Sequence, residues 1–129
     1  MAGIPASHHD LLGAPNVATV ATIRPDGTPH QTVTWVDYDG EHVLVNTVAE
    51  RRKAKNVRAN PHAGINVIDP DDVGRYLSVS GPAEVTTEGA VEHANELGRA
   101  YRGVENFADQ FDDVTRVVIR VEPAHVVAQ

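Results

Sequence analysis

The sequence predicts a mainly β protein: a closed or nearly closed antiparallel barrel of six to seven strands with two helices inserted. Three observations carry this. Short runs rich in Val, Ile and Thr recur along the chain, each ended by Gly, Pro or Asp. Two segments show instead the three- and four-residue apolar spacing of amphipathic helices. An open sheet of so many short strands would expose long edges, and closure removes them.

Residues 17–23, Val-Ala-Thr-Val-Ala-Thr-Ile, form the first strand and stop at Arg24-Pro25-Asp26-Gly27. Pro presets φ there, and Gly tolerates the positive φ of a tight turn. Residues 28–37 form the second strand, with Gln31, Val33 and Trp35 on one face and His30, Thr32 and Thr34 on the other. A turn at Asp37-Tyr38-Asp39-Gly40 leads to a third strand over 41–47, so the three read as a meander. Thr47-Val48-Ala49-Glu50 has the spacing of a capping box. The helix it opens runs to about Asn60 before Pro61, with Ala54 and Val57 inward. Arg51, Lys55 and Arg58 share a face, and Lys53 is expected to face solvent. Strands follow over 63–69 and 75–85, with Gly81-Pro82 marking a bulge or an edge. Thr87 is positioned to cap a second helix, whose Ala90, Ala94, Leu97 and Tyr101 keep helical spacing up to Gly103. An acidic, partly aromatic connection over 104–113 precedes strands at 114–121 and 125–127. Without repeats or linkers, the chain reads as one domain over 1–129 with a flexible tail over 1–9.

Composition narrows the function classes. The chain is 129 residues long, with 41% hydrophobic and 22% charged residues and no cysteine. Disulfides, thiolate nucleophiles and cysteine metal sites are excluded. No apolar run approaches the ~18 residues of a membrane helix, and the first residues lack the pattern of a secretory signal. A cytoplasmic protein is expected. The formal net charge is −7, yet Arg51, Arg52, Lys53, Lys55 and Arg58 put +5 into residues 51–58, which leaves −12 for the rest. Such a chain is unsuited to coating nucleic acid and better suited to one localised anion. The alternative is a solvated basic helix face.

Gly-x-Ser-x-Gly, Walker and Gly-x-Gly-x-x-Gly patterns are all missing, and the seven histidines show no metal-binding spacing. What remains for anion binding is the junction of the third strand with the basic helix. Helix-start N–H groups favour phosphate, Arg grips it with paired donors, and Lys adds a compact charge. Trp35, the sole tryptophan, reads either as core or as a stacking wall for a flat ring. Tyr76 carries the same ambiguity, and His30 reads either as an exposed strand residue or as part of a site.

The run from Pro29 through Trp35 to Gly40, then Val43-Leu44-Val45-Asn46-Thr47, Arg51-Arg52-Lys53-Ala54-Lys55-Asn56-Val57-Arg58 and Asn60-Pro61, resembles the pyridoxamine-phosphate-oxidase-like split β-barrel flavoproteins. It is most similar to the group that uses the deazaflavin coenzyme F420. Asp69-Pro70-Asp71-Asp72, Arg75-Tyr76-Leu77, Gly81 and Thr87-Glu88-Gly89-Ala90 continue the likeness, which spans about residues 10–127. Val33 departs from it, standing where many relatives have Pro and restoring a backbone donor.

The resemblance implies an FMN-binding-type split barrel. It implies a phosphate grip at Arg51 and Lys53 with Asn56 close by, and a ring lined by Thr47, Val48 and Ala49. His30 and Thr32 would face the coenzyme, and Tyr76 would reach it across a homodimer interface. The implied activity is hydride transfer between F420 and a small organic acceptor, quinone-like or conjugated, with no catalytic side chain and no metal assigned. Five cations in eight residues suit a polyanionic coenzyme. FMN is the alternative cofactor, and a protein that binds or stores the coenzyme without turnover is the alternative function.

Overall fold

The β-branched runs form eight antiparallel strands in the computed structural model, which describes residues 3–111 and 113–129. They are β1 (Ala18–Ile23), β2 (Pro29–Thr34), β3 (Asp37–Tyr38), β4 (Val43–Val48), β5 (His62–Asp69), β6 (Asp72–Thr86), β7 (Arg116–Val121) and β8 (His125–Ala128). The helices are α1 (His9–Gly13), α2 (Arg52–Ala59) and α3 (Ala90–Arg102), with 3-10 turns at Ala6–His8 and Phe107–Gln110. Strand order is β2-β1-β5-β6-β7-β4-β3, and β8 pairs with β6.

The end strands of this path, β2 and β3, are separated in the chain only by Trp35 and Val36. The sheet therefore curls until its two ends meet, and the chain rather than a ladder closes the wall. This corrects the expected meander. The second strand breaks at Trp35, its first part pairs with β1, and β3 pairs with β4. β4 itself pairs with β7. The result is a split barrel with one more strand than the upper expectation. Long β6 crosses the split: one edge follows β5, while the other pairs with β8 over 77–80 and then with β7 over 83–86.

Alternation fills the interior. Val20, Val43, Val45, Ile65, Val67, Leu77, Val79, Ile119 and Val121 are buried in one cluster. Ala54 and Val57 of α2 are buried too, and Leu11 and Leu12 of α1 join the core. Ile4 and His8 are buried as well, so the described part of the predicted tail packs against the barrel. Arg75 fixes this segment to the β5–β6 hairpin through Asp10 (2.6 Å), Asp69 (3.0 Å) and the carbonyl of Ser7 (2.6 Å).

Two helix starts differ from expectation. Thr47 and Val48 stay in β4, the Thr47–Glu50 capping box does not form, and Arg51 is the N-cap of α2. Strand pairing of Thr47 with Val117 and of Val48 with Arg116 outweighs the local capping signal. α3 is capped by Gly89 at φ 67° rather than by Thr87, whose carbonyl accepts from the N–H of Ala90. Its end at Gly103, in the left-handed conformation, is as the sequence predicts.

Candidate functional site

A cleft of about 450 Å3 opens where the ends of β2 and β4, the start of α2 and the Phe107–Gln110 turn converge. One wall is aromatic. Trp35 stacks on Tyr101 of α3 with ring centroids 5.1 Å apart, and Phe107 lies tilted 4.9 Å away. The guanidinium of Arg102 sits 5.5 Å from the Trp35 ring centroid. Tyr101 is anchored by its hydroxyl, which donates to the carbonyl of Asn16 (2.7 Å) and accepts from the N–H of Val36 (3.0 Å). Phe107 docks on Gly98 so closely that a Cβ there would lie 2.4 Å from the Phe107 Cβ. Trp35 meets both readings: it packs against the buried cluster of Ala94, Phe107 and Ala108, and it lines the cleft.

The other wall is cationic. Arg51, Lys53 and Arg116 line it, beside Thr47 and Val48. Arg51 is exposed and stands at the first turn of α2, where backbone N–H groups lack intrahelical partners. Lys53 is only 8% exposed, which overturns the solvent-facing expectation: it shares the inner side of α2 with Ala54, Asn56 and Val57. Its ammonium makes no hydrogen bond or ion pair among the described residues. Burial, with a smaller push from Arg51, holds it below the ordinary lysine value.

His30 and Thr32 lie on the inward face of β2, opposite Thr22 and Val20 of β1. Asn56 is fully buried and donates from Nδ2 to Thr22 Oγ1 at 3.0 Å. His30 Nδ1, Thr32 Oγ1 and Asn56 Oδ1 are buried without a partner among the described residues. Burial, then the fields of Arg24, Lys53 and Arg52, hold the imidazole of His30 below the usual histidine range. These residues therefore form a polar layer near Lys53 rather than part of the cleft lining.

Two further predicted residues lie off the lining of this protomer's own cleft. Ala49 spends its N–H on the carbonyl of Thr115 (2.8 Å), and it does not line the cleft. Tyr76 pairs with Ile68 and exchanges backbone bonds with Gln129, away from the cleft. Conversely, Asn46, Arg102, Phe107, Phe111 and Arg116 line it without having been singled out as site residues. Arg116 had a readable signal: on a strand whose 117, 119 and 121 fill the core, it falls on the opposite face.

The cleft thus combines an aromatic wall, four cations (Arg51, Lys53, Arg102 and Arg116) and unpartnered buried polar atoms beside it, a donor set that fits a phosphorylated ring system. Over residues 4–129 the chain matches pyridoxamine 5'-phosphate oxidase. It belongs to that family. Among solved structures, this family member is similar to an F420 reductase, with 35% identity, a TM-score of 0.85, and coverage of 98% of this chain and 100% of that one. It is also similar to a conserved hypothetical protein from Mycobacterium tuberculosis, at 28% identity and TM-score 0.78 over 98% of this chain and 84% of that one. General Stress Protein 26 from Bacillus anthracis shares the fold at 16% identity and TM-score 0.69, over 92% and 87% of the two chains. A search of curated proteins finds no match. Membership gives the split barrel of flavin- and deazaflavin-type oxidoreductases. Among the described residues, no helix is long and apolar enough to cross a membrane, and no cluster of three or more metal-ligating side chains occurs.

Proposed function

We propose that this protein is a cytoplasmic, homodimeric oxidoreductase that binds coenzyme F420 in the cleft and serves hydride transfer to a small quinone-like or conjugated acceptor. The observation that carries this is Lys53: its stem is buried, and its ammonium opens into the cleft without a partner among the described residues, beside Arg51 at a helix start and next to an aromatic wall. Holding a charge partly desolvated and unpaired is unfavourable, so the arrangement makes sense when an anion in the cleft completes it. The bound coenzyme supplies the hydride chemistry. Arg51 and Lys53 hold its phosphate, Thr47 and Val48 border its ring, and Trp35 with Phe107 excludes water from one side. The similarity to an F420 reductase and the +5 charge of residues 51–58 favour F420 over FMN. In the dimer, Tyr76 of one protomer reaches the cleft of the other.

A second reading, coenzyme binding without turnover, is favoured by one feature. The described lining contains no histidine, tyrosine or carboxylic acid that could donate a proton to an acceptor.

The test titrates the purified protein separately with F420 and FMN, following coenzyme absorbance and the emission of Trp35, the sole tryptophan. Saturable binding of F420 with a change in Trp35 emission is expected, and binding of FMN alone overturns the F420 assignment. Reduced F420 that stays reduced with a panel of quinones and enones supports storage. A monomer by sedimentation at micromolar concentration removes the dimer.

A further inference from the structure

The cleft contains a cation that the phosphate grip does not use, held by a chain of side chains that starts outside the cleft. Asn46 of β4 and Arg116 of β7 both line the cleft, and Asn46 Oδ1 accepts from Arg116 Nε at 3.0 Å and from its Nη2. Asn46 Nδ2 donates to the carbonyl of Ala90 at 2.8 Å and faces His93 Nδ1 at 3.1 Å. His93 Nε2 lies 3.0 Å from Asp37 Oδ2. An amide N–H2 facing Nδ1 requires that nitrogen to accept, so the proton sits on Nε2 and is donated to Asp37. Every polar atom of Asn46 is then used. Turning the amide over would set its N–H2 against the guanidinium and its oxygen against the Ala90 carbonyl, so one orientation survives.

We propose that Arg116 is a third anion contact of the cleft, beside Arg51 and Lys53, and that Asp37, His93 and Asn46 position it. The inference rests on the coenzyme-binding reading given above and extends it by one contact. Its ligand is an oxyanion, the phosphate or a carboxylate of the bound coenzyme. The bonds that hold the guanidinium end on a neutral amide oxygen, so its charge stays available to a ligand, whereas a carboxylate in that place would cancel it. The guanidinium is also held over Phe107 (6.0 Å) and Phe111 (5.9 Å), which fixes its plane without neutralising it. Burial and the field of Arg51 hold Arg116 below the ordinary arginine value, as expected when like charges crowd one cleft awaiting an anion.

The test measures binding by Trp35 emission and calorimetry, with F420 and with its deazaflavin nucleoside core, which lacks phosphate and glutamates. Arg116→Ala is expected to weaken F420 binding about tenfold or more, the scale of a charge-assisted hydrogen bond, and to leave the core chromophore unaffected. Arg116→Lys should recover part of the loss. Asn46→Asp keeps an acceptor for Arg116 but neutralises it, so it should weaken F420 about as much as Arg116→Ala. Its second carboxylate oxygen faces the Ala90 carbonyl and cannot donate, so a lower melting temperature is expected too, and unchanged binding of the core chromophore shows that the cleft survives. His93→Phe, which cuts Asp37 from Asn46, should give a smaller loss of the same kind. A merely structural role would weaken both ligands alike and overturns the proposal. So does wild-type F420 affinity in Asn46→Asp and Arg116→Lys, which keeps the test decisive even if Arg116→Ala fails to fold. Lys53→Ala in the same series separates the two claims. Loss at Lys53 with none at Arg116 removes only the third contact, and no loss at either position removes the coenzyme cleft.

Discussion

Lys53→Met is expected to raise the melting temperature of the ligand-free protein while removing most of its coenzyme affinity. Methionine keeps the length of the buried stem and removes the charge. Replacing a partly desolvated, unpaired charge by an apolar side chain of similar volume should stabilise by at most about 1 kcal/mol, roughly 3–4 °C for a domain of this size. Loss of a charge-assisted bond to phosphate should weaken binding by about 1.5–3 kcal/mol, or roughly 10- to 150-fold. Lys55→Ala, an exposed position on the same helix with the same change in net charge, should alter neither quantity much. Opposite movement of stability and affinity would mark Lys53 as a residue held for its ligand. A lower melting temperature with unchanged affinity would instead make it a packing residue and end the phosphate assignment.

The pH dependence of the pair has a definite sign. Because the folded state depresses the Lys53 pKa below 10.5, the native protein carries a charge penalty below the depressed value and loses that penalty as pH rises to 10.5. The stability gap between Lys53→Met and the wild type should therefore narrow across that window and close above it. Coenzyme affinity of the wild type should fall over the same window, as the ammonium is lost. Lys53→Arg, which stays protonated there, should keep its affinity wherever the larger head fits.

The strands were legible because period-two alternation and turn residues are local signals; Gly27 at φ 87° and Gly40 at φ 96° sit in the turns where they were expected. What the sequence hid is set by partners far along the chain. Thr47 offers a capping hydroxyl, but its strand partner lies seventy residues away in β7, and that ladder keeps it in β4. The break at Trp35-Val36 follows from two ladders ending on different sheet edges, which no local pattern encodes. Lys53 was misjudged because helical spacing alone does not say which β-face α2 covers; packing on β1 turns Lys53 and Asn56 inward. The Arg51 and Lys53 pair was readable as a charge cluster. Arg116, reached through Asn46 and His93, required the tertiary fold.

Gly81→Ala should be the most destabilising single methyl addition in the barrel. At Gly81 the outer partner of β6 changes from β8 to β7, and the 122–124 corner joining those two strands crosses directly over it. A Cβ there would lie 2.1 Å from the carbonyl oxygen of Glu122 and 3.1 Å from the backbone nitrogen of Ala124. These are backbone atoms, so no rotamer change relieves the overlap; the corner itself must shift. It is held by the bond from the Glu122 N–H to the carbonyl of Pro82 (2.8 Å), and moving it strains both ladders of β6. A loss of about 3 kcal/mol in urea unfolding is expected, at the upper end for overpacking and enough to remove a sizeable part of a small domain's stability. Gly64→Ala, opposite Ser80 on the neighbouring strand, is the control. Its Cβ would meet Ser80 Cβ at 3.7 Å and the Val79 carbonyl at 3.8 Å, ordinary contacts. There the lower chain entropy of alanine should leave stability unchanged or raise it by about 0.5 kcal/mol. Equal effects at the two positions would mean that the corner is pliable and that close approach at Gly81 does not hold the two halves of the sheet in register.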